Sequence, residues 1–314
     1  MDNTCWVIAG PTASGKTALS LRLAQEYGCE IICMDSMQIY RGMDIGTAKP
    51  TPEERAAVPH HMVDVADPTE AFSVARYQEM AENCVRDIQS RGRRALFVGG
   101  TGLYLRALRH PMAMGDVSGD EEIRTEYQRV ADAEGGRERL HALLEEIDPQ
   151  TAKRLPLADV RRVIRALEVW RLTGIPFSQQ PQRVEKPAFS YRVVSLNMDR
   201  AKLYERVETR VDLMIAQGLV DEVRGLLARG VPENAQAMKG LGYKELVPYL
   251  KGACTLEEAV YEMKLGTRHY AKRQLTWMRR EEDVCWLDSL SPDCYGALEA
   301  YMTQNVETKG EEKP

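Results

Sequence analysis

Residues 4–27 combine a short apolar segment, a glycine-rich turn and an amphipathic segment. Residues 4–9 are rich in strand-forming side chains, and the next eight residues, GPTASGKT at 10–17, fit the pattern G-x-x-x-x-G-K-[ST]. Within 16–27, apolar side chains recur at helical spacing. A strand, a glycine turn and a helix in this order predict a phosphate-binding loop, because backbone N–H groups and the helix N-terminus then face an anion.

Each part of this loop has its own chemical task. The glycines let the backbone curl around an oxyanion, Lys16 contributes a positive charge, and the Thr17 hydroxyl can coordinate Mg²⁺. The motif predicts a bound polyphosphate without specifying ATP. The predicted phosphate-binding residues are Gly10, Pro11, Thr12, Ala13, Ser14, Gly15, Lys16 and Thr17.

Strand and helix patterns alternate on both sides of a purely helical segment. Alternation of this kind predicts an α/β fold with a P-loop NTPase-like parallel sheet, whose crossovers are right-handed. Residues 36–59, rich in glycine and proline, are predicted as loop. Further strands are predicted at 30–34, 61–65, 94–98, 191–198 and 284–287, and helices at 73–90, 200–217, 219–229 and 256–278.

The strand patterns cease near residue 111 and return at 191. A chain of 314 residues is long enough for about two domains. We therefore predict that 1–112 and 191–305 form the core domain and that 113–190 form a mostly helical insertion. Residues 306–314 are polar and aperiodic, which predicts a disordered tail.

The net charge of −5 excludes a globally basic nucleic-acid-binding protein, so any RNA site must concentrate its positive charge locally. Residues 264–280 do this, since they contain no acid. The spacing predicts that Lys264, Arg268 and Lys272 share one helix face. The cations of this segment are Lys264, Arg268, Lys272, Arg273, Arg279 and Arg280, and a second basic cluster comprises Arg161, Arg162 and Arg165.

The seven cysteines include no C-x-x-C pair, which is typical of free thiols in a reducing compartment. Cys29 and Cys33 have no nearby histidine and are predicted to be buried strand thiols rather than zinc ligands. The apolar run at 5–9 is too short for a signal or membrane-spanning segment. These features predict a cytoplasmic protein, with a monomer as the default.

Asp35 follows the predicted strand at 30–34, whereas the strand at 94–98 ends in Gly99-Gly100-Thr101. In P-loop NTPases a further buried strand ends in an aspartate that binds Mg²⁺. An aspartate at the carboxyl end of a strand lies where α/β sheets bind ligands. From residue type alone, Asp35 can be a metal ligand, a general base or a cap of its own loop.

Several separated segments carry a resemblance to one family. They are DSMQIYRGMDIGTAKP at 35–50, VGGTGLY at 98–104, RALEV at 165–169, GLGYK at 240–244 and AKRQLTW at 271–277. Together with the loop at 10–17 and Pro59-His60, this order resembles the tRNA dimethylallyltransferases, or tRNA isopentenyltransferases, from about residue 4 to residue 288. The resemblance is to the bacterial form, which has no C-terminal zinc-finger extension.

The resemblance implies transfer of a dimethylallyl group from dimethylallyl diphosphate to N6 of adenine 37 in the tRNA anticodon loop. The products are N6-dimethylallyladenosine and diphosphate, and Mg²⁺ is the implied cofactor. The catalytic residues would be Asp35 as general base, Thr101 as a hydrogen-bonding residue between the reacting groups, and Lys16. Arg210 matches a basic residue that contacts the diphosphate.

The resemblance also implies a set of tRNA contacts on both predicted domains. The target adenine would be flipped out of the anticodon loop to reach a buried site. Trp277 is included by resemblance, although its pattern alone favours a core residue. The implied tRNA-binding residues are Asp35, Ser36, Met37, Gln38, Thr101, Arg124, Asp159, Val160, Arg161, Arg162, Val163, Lys239, Gly240, Leu241, Gly242, Tyr243, Lys244, Lys272, Arg273, Gln274, Leu275, Thr276, Trp277, Met278 and Arg279.

Three alternatives account for part of these patterns. An ATP-dependent phosphotransferase explains the loop at 10–17, and a prenyl transferase for free adenine nucleotides explains the core without the basic stretch. A non-catalytic RNA-binding protein would leave Lys16, Thr17 and Asp35 without a task. Whether ATP binds in addition to a prenyl diphosphate is left open by the sequence.

Overall fold

A six-stranded parallel sheet with the strand order β3-β2-β4-β1-β5-β6 organises the fold. The computed structural model describes residues 4–110, 119–180 and 186–304. The predicted α/β class with a parallel sheet is confirmed. The strands are β1 (Thr4–Ala9), β2 (Cys29–Met34), β3 (His60–His61), β4 (Arg94–Gly99), β5 (Ser190–Asn197) and β6 (Val284–Asp288).

Helices connect these strands and make up the remaining regular structure. Their positions agree with the predicted helices of the sheet region to within a residue or two. The helices are α1 (Lys16–Tyr27), α2 (Pro52–Ala57), α3 (Val74–Ser90), α4 (Gly102–Arg109), α5 (Glu121–Asp132), α6 (Gly136–Ile147), α7 (Pro149–Arg154), α8 (Val160–Thr173), α9 (Arg200–Ala216), α10 (Leu219–Ala228), α11 (Tyr243–Leu250), α12 (Leu256–Met278) and α13 (Cys294–Thr303).

Two local predictions were wrong. The strand predicted at 61–65 stops at His61, because Met62 and Asp64 have left-handed φ angles of 61° and 58° that a strand cannot accommodate. The loop predicted at 36–59 contains α2, where Thr51 and Glu54 form a capping box. Pro52, one of the prolines behind the loop prediction, occupies the first turn of α2, where a missing N–H costs no hydrogen bond.

Both faces of the sheet are buried, which explains why its strands read as continuous apolar runs. In β1 every residue from Cys5 to Ala9 is buried, and in β2 every residue is buried. The two faces are covered by separate apolar clusters, one including Val7 and the other Ile8. Cys29 and Cys33 are free, buried strand thiols, as predicted.

The chain divides into two compact units, Met1–His110 with Pro187–Pro314, and Pro111–Lys186. The first contains the sheet. The second consists of helices within its described residues and has its own core, including Leu140, Leu144 and Leu167. The role of 113–190 as an inserted domain stays a prediction, and the predicted tail at 306–314 lies outside the described residues. None of the described helices is long and apolar enough to cross a membrane.

The strand order places three candidate segments side by side. Strands β2, β4 and β1 are neighbours in the sheet and run in the same direction. Their carboxyl ends therefore share one edge, which carries Asp35 after β2, Gly100-Thr101 after β4 and the loop at 10–17 after β1. The site is built at this edge.

Candidate active site

The loop between β1 and α1 has a strongly curved backbone. The φ angles of Gly10, Ala13 and Gly15 are 146°, 65° and 89°. A Cβ at position 10 would also lie 3.0 Å from the carbonyl oxygen of Leu196, so glycine is required there for both conformation and space. The alanine in a left-handed conformation is a strained position of the kind that concentrates at binding sites.

Two side chains of this loop, those of Lys16 and Ser14, are suited to binding an anion. The Lys16 ammonium donates to the carbonyl oxygens of Gly10 and Pro11 at 3.0 and 2.6 Å. Burial and, to a smaller extent, the charge of Arg210 lower the pKa of Lys16 to about 7, while the charge of Asp35 opposes the shift. The buried Ser14 hydroxyl has no hydrogen-bond partner among the described residues. A phosphate oxygen would satisfy both groups.

Asp35 and Thr101 hold the ends of β2 and β4 together. One carboxylate oxygen of Asp35 accepts the Met37 N–H at 2.8 Å, so the loop-capping interpretation holds for that oxygen. The Thr101 hydroxyl accepts the Ser36 N–H at 3.1 Å, and the Thr101 N–H donates to the Met34 carbonyl at 3.2 Å. These bonds fix Asp35 beside Thr101 at the edge of the sheet.

Gln274 of α12 contacts both loops at once. Its Oε1 accepts the Thr12 N–H at 2.9 Å, and its Nε2 donates to the Gly100 carbonyl at 3.1 Å. The close approach explains the glycine pair after β4. A Cβ at Gly100 would lie 2.0 Å from the Gln274 Nε2, and one at Gly99 would lie 2.1 Å from the Met34 carbonyl oxygen.

These elements surround a cavity of about 860 Å³. Asp35 and Glu205 are the acidic side chains that line it among the described residues. Burial lowers the pKa of Arg210, and Asp35 opposes this shift. A net negative chain thus focuses positive charge here, which favours an anionic ligand. The cations that line the cavity are Lys16, Lys202, Arg206, Arg210, Lys239, Lys244 and Arg273.

Among the cavity residues that were not predicted from the sequence, Arg206 and Tyr270 have polar groups close to the predicted site residues. Arg206 lies on α9 one turn before Arg210, and that spacing is the feature that could have revealed it. Tyr270 lies on α12 one turn before Gln274. Burial and the Asp35 charge raise the pKa of Tyr270, while hydrogen bonds with Thr101 and Gln274 oppose the rise. Its hydroxyl is therefore protonated at neutral pH.

The predicted contact segment at 239–244 lies beside the loop that follows Asp35. Tyr243 is fully buried, and its hydroxyl donates to Glu222 at 2.6 Å. The same carboxylate accepts the N–H groups of Asp44, Ile45 and Gly46 at 2.9, 2.7 and 3.1 Å. The Tyr243 hydroxyl is therefore occupied by an internal hydrogen bond. Glu222, which was not predicted from the sequence, joins residues 44–46 to α10.

The basic stretch of α12 does not form a single free face. Lys264 pairs with Asp212 at 2.7 Å, and Arg268 pairs with Glu208 at 3.2 Å, both acids lying on α9. Lys272 is exposed and has no ion pair among the described residues. The four-residue spacing of Lys264, Arg268 and Lys272 falls within α12, as predicted, but two of these three cations are paired with acids of α9. A second cavity of about 400 Å³ is lined by His269, Lys272, Arg273, Thr276, Trp277 and Arg280.

The predicted contact residues at 274–279 differ in their burial. Gln274 and Met278 are buried, and Leu275 packs against an apolar cluster that includes Ala271. Trp277 is half-buried and packs against the main core. Arg279 is exposed and, like Lys272, has no ion pair within the described ranges. The set therefore combines exposed and buried side chains.

The second unit carries its own predicted contacts. Arg124 pairs with the buried Glu168 at 2.8 Å. Asp159 precedes α8, and Val160 begins it. The side chains of Arg161 and Arg162 are exposed, whereas that of Val163 is buried in the core of this unit.

The chain matches two family models, one of them over most of its length. The sequence model of the IPP transferase family matches residues 38–281, and that of isopentenyl transferase matches residues 3–64. A tRNA dimethylallyltransferase of Roseiflexus castenholzii is 48% identical over 301 residues, covering 96% of this chain and 98% of that protein. The chain belongs to the IPP transferase family. The resemblance seen in the sequence is thereby confirmed.

Solved structures of IPP transferases extend the match to the fold. The tRNA isopentenylpyrophosphate transferase of Bacillus halodurans is 42% identical with a TM-score of 0.68, covering 96% of this chain and 98% of that one. A eukaryotic dimethylallyltransferase acting on tRNA is 29% identical with a TM-score of 0.77, covering 95% of this chain and 77% of that one.

Proposed function

We propose that this member of the IPP transferase family moves a dimethylallyl group from dimethylallyl diphosphate to N6 of adenine 37 in tRNA. One observation carries the proposal: the phosphate loop, Arg210 and Asp35 all line a single cavity. An anionic leaving group and a proton acceptor are the two requirements of alkyl transfer to an exocyclic amine.

The phosphate loop would stabilise the leaving group. As the bond between C1 of the prenyl group and the diphosphate oxygen breaks, its electron pair moves onto that oxygen. The Lys16 ammonium, the Arg210 guanidinium and the N–H groups of the loop face the growing negative charge. Charge stabilisation of this kind is typically the largest contribution to a rate enhancement.

Asp35 would act as the general base. The N6 lone pair of adenine forms the new bond to C1, and the N6 proton moves to the Asp35 carboxylate, from which it passes to solvent. The Met37 N–H fixes one oxygen of this carboxylate and leaves the other for the proton. The hydroxyl of Thr101, beside Asp35, would hydrogen-bond between the reacting groups.

The Thr17 hydroxyl of the phosphate loop suits a magnesium ion that binds together with the diphosphate. Among the described residues, no group of three or more His, Cys, Asp or Glu side chains could hold a metal. Thr17 is exposed at the first turn of α1 and would be the protein ligand, with phosphate oxygens and water completing the shell. Bound Mg²⁺ would neutralise charge on the diphosphate.

The tRNA would approach from the exposed part of α12. Lys272, Arg273 and Arg279 are exposed cations suited to phosphates of a single-stranded loop, with Arg161 and Arg162 of the second unit as additional contacts. Segments 36–38 and 239–244 line the cavity that a flipped adenine would enter. We propose that the enzyme acts as a monomer.

A double-label assay tests the function. Dimethylallyl diphosphate labelled in the prenyl group, or ATP labelled in the γ-phosphate, is offered with tRNA or with AMP. We expect prenyl label in tRNA only and recovery of N6-dimethylallyladenosine after nuclease digestion, and a tRNA with guanine 37 is the control. Phosphate label in any acceptor would identify a phosphotransferase, and prenyl label in AMP would identify a nucleotide prenyl transferase.

A further inference from the structure

We infer that Gln274 is a positioning residue rather than a side chain that recognises tRNA. It fixes the phosphate loop relative to the loop after β2 that carries Asp35, which we call the Asp35 loop. The inference rests on the proposed function, because it concerns the geometry between leaving group and base. Its starting point is the pair of hydrogen bonds from one amide to Thr12 and Gly100.

The two partners fix how the amide is oriented. A backbone N–H can only donate and a backbone carbonyl can only accept, so Oε1 must face Thr12 and Nε2 must face Gly100. The side chain is 4% exposed, and a Cβ at Gly100 would lie 2.0 Å from its nitrogen. Gln274 borders the cavity, but both ends of its amide are already bound to backbone groups, so the amide is committed to joining the two loops rather than to pairing with a base of tRNA.

Hydrogen bonds continue from Gln274 to the catalytic aspartate. Gly100 is followed by Thr101, whose N–H binds the Met34 carbonyl and whose hydroxyl accepts the Ser36 N–H. Met34 and Ser36 are the residues on either side of Asp35. The phosphate loop is thus connected through one side chain to both neighbours of the proposed base.

The hydrogen bonds through Gln274 fix the distance between C1 of the bound donor and the Asp35 carboxylate, on which the rate of transfer depends. The phosphate loop would place C1 through the diphosphate, and the Asp35 loop would place the acceptor of the N6 proton. A displacement of about 1 Å between reacting groups can cost about 10²-fold in rate. Loss of the bridge should therefore slow the chemical step while leaving tRNA affinity intact, which a tRNA-reading residue would not do.

The first test is Gln274→Leu, which keeps a similar size and removes both hydrogen bonds. We expect the single-turnover rate of prenyl transfer at saturating substrates to fall by about 10-fold to 10²-fold. The Kd for tRNA should change by less than about 2-fold, because an enclosed side chain contributes no contact. Gln25→Leu, at an exposed position of α1, is the matched control and should retain the wild-type rate.

The second test, Gln274→Glu, separates positioning from general damage to the fold. An ionised glutamate still accepts the Thr12 N–H but presents an oxygen anion to the Gly100 carbonyl. A protonated glutamate restores both bonds. Burial beside a carbonyl raises a carboxyl pKa, so the protonated, active form accumulates as the pH falls. The variant-to-wild-type rate ratio should rise from pH 8 to pH 6, while the ratio for Gln274→Leu stays flat.

The outcomes distinguish this inference from the proposed function. A wild-type protein that transfers no prenyl group overturns the function itself. Wild-type-like rates in both Gln274 variants, or weaker tRNA binding with an unchanged rate, overturn the positioning role. Should Gln274→Leu fail to fold, the pH ratio of Gln274→Glu decides alone, measured where circular dichroism shows a wild-type spectrum at both ends of the range.

Discussion

The phosphate loop and helix α12 meet at Gln274 but form their surfaces in different ways. Consecutive residues of the loop share one task, because residues 12–17 all line the same cavity. Consecutive residues of α12 have different tasks. Gln274 bridges two loops, Lys272 is exposed, and Met278 is buried in the core.

The backbone explains the contrast. A curved loop gathers neighbouring N–H groups around one point, whereas a helix turns by about 100° per residue and places neighbours on different faces. Function can therefore be assigned to a loop segment by segment, but to a helix only face by face. We expect changes at the cavity to alter the rate and changes on the exposed face of α12 to alter tRNA affinity.

The largest effect expected at the cavity belongs to Asp35→Asn, which keeps the shape of the side chain and removes its charge and basicity. If Asp35 is the base, the rate of prenyl transfer should fall by about 10²–10⁴-fold, while tRNA and donor still bind. The measurement is the single-turnover rate together with both dissociation constants.

The opposing interpretation makes Asp35 a metal ligand. In that case the loss would appear mainly as weaker Mg²⁺-dependent donor binding, and added Mg²⁺ would restore much of the rate. Rescue of Asp35→Asn by excess Mg²⁺ would show the assignment as base to be wrong. Thr17→Ala is the useful comparison, because the hydroxyl proposed to bind the metal should show that dependence on Mg²⁺.

A smaller effect is expected from pH acting on Lys16. Its pKa of about 7 lies below the ordinary lysine value, so the ammonium is lost as the pH rises through 7. Donor binding should therefore weaken above pH 7, since the neutral amine no longer attracts the diphosphate. Lys16→Arg keeps its charge across this range and should remove that dependence. Donor KM measured from pH 6 to pH 9 for both proteins checks this.

Lys16→Ala is the companion variant at this position. It should bind the diphosphate less tightly at every pH and lose transition-state stabilisation as well, with about 10²-fold lower kcat/KM for the donor. A wild-type kcat/KM for the donor in Lys16→Ala would contradict the role of the phosphate loop.

Local patterns allowed correct prediction where local chemistry decides the structure. The bounds of α1 were predicted as 16–27 from the helical spacing of its apolar residues, and the structure shows Gly15 and Gly28 in left-handed conformations at its two ends. The phosphate loop was predicted because its eight residues fit a local sequence pattern between a strand and a helix. The bridge made by Gln274 joins residues 262 positions apart, and no local pattern could indicate it.

The acids that neutralise α12 were also outside the reach of sequence reasoning. Asp212 and Glu208 lie on α9, and only the packing of α9 against α12 brings them to Lys264 and Arg268. The segment 264–280 therefore showed its positive charge in the sequence but not which of its cations were already paired. Glu222 illustrates the same limit, since its partners at 44–46 are far from it in sequence.

The smallest effect is expected on tRNA binding. Two double variants with equal charge change test which cations of α12 contact tRNA. Lys272→Ala with Arg273→Ala removes exposed cations, and we expect weaker tRNA binding with a shallower salt dependence. Lys264→Ala with Arg268→Ala removes the paired cations, and the slope should stay at the wild-type value. Each lost phosphate contact lowers the slope of log Kd against log salt by about one unit.

Equal charge change makes the comparison specific. Both variants lose two positive charges, so long-range attraction between protein and RNA falls by a similar amount in each. A difference in slope therefore reports direct contacts. Because Arg273 also lines the cavity, the donor Kd of the first variant is measured beside its tRNA Kd, so that a loss of donor binding is not counted as a loss of tRNA contact. The second variant should lose little stability, because partly exposed surface ion pairs contribute about 0–1 kcal/mol. Equal slopes in the two variants would mean that the exposed half of α12 is a solvated surface and that tRNA is held elsewhere.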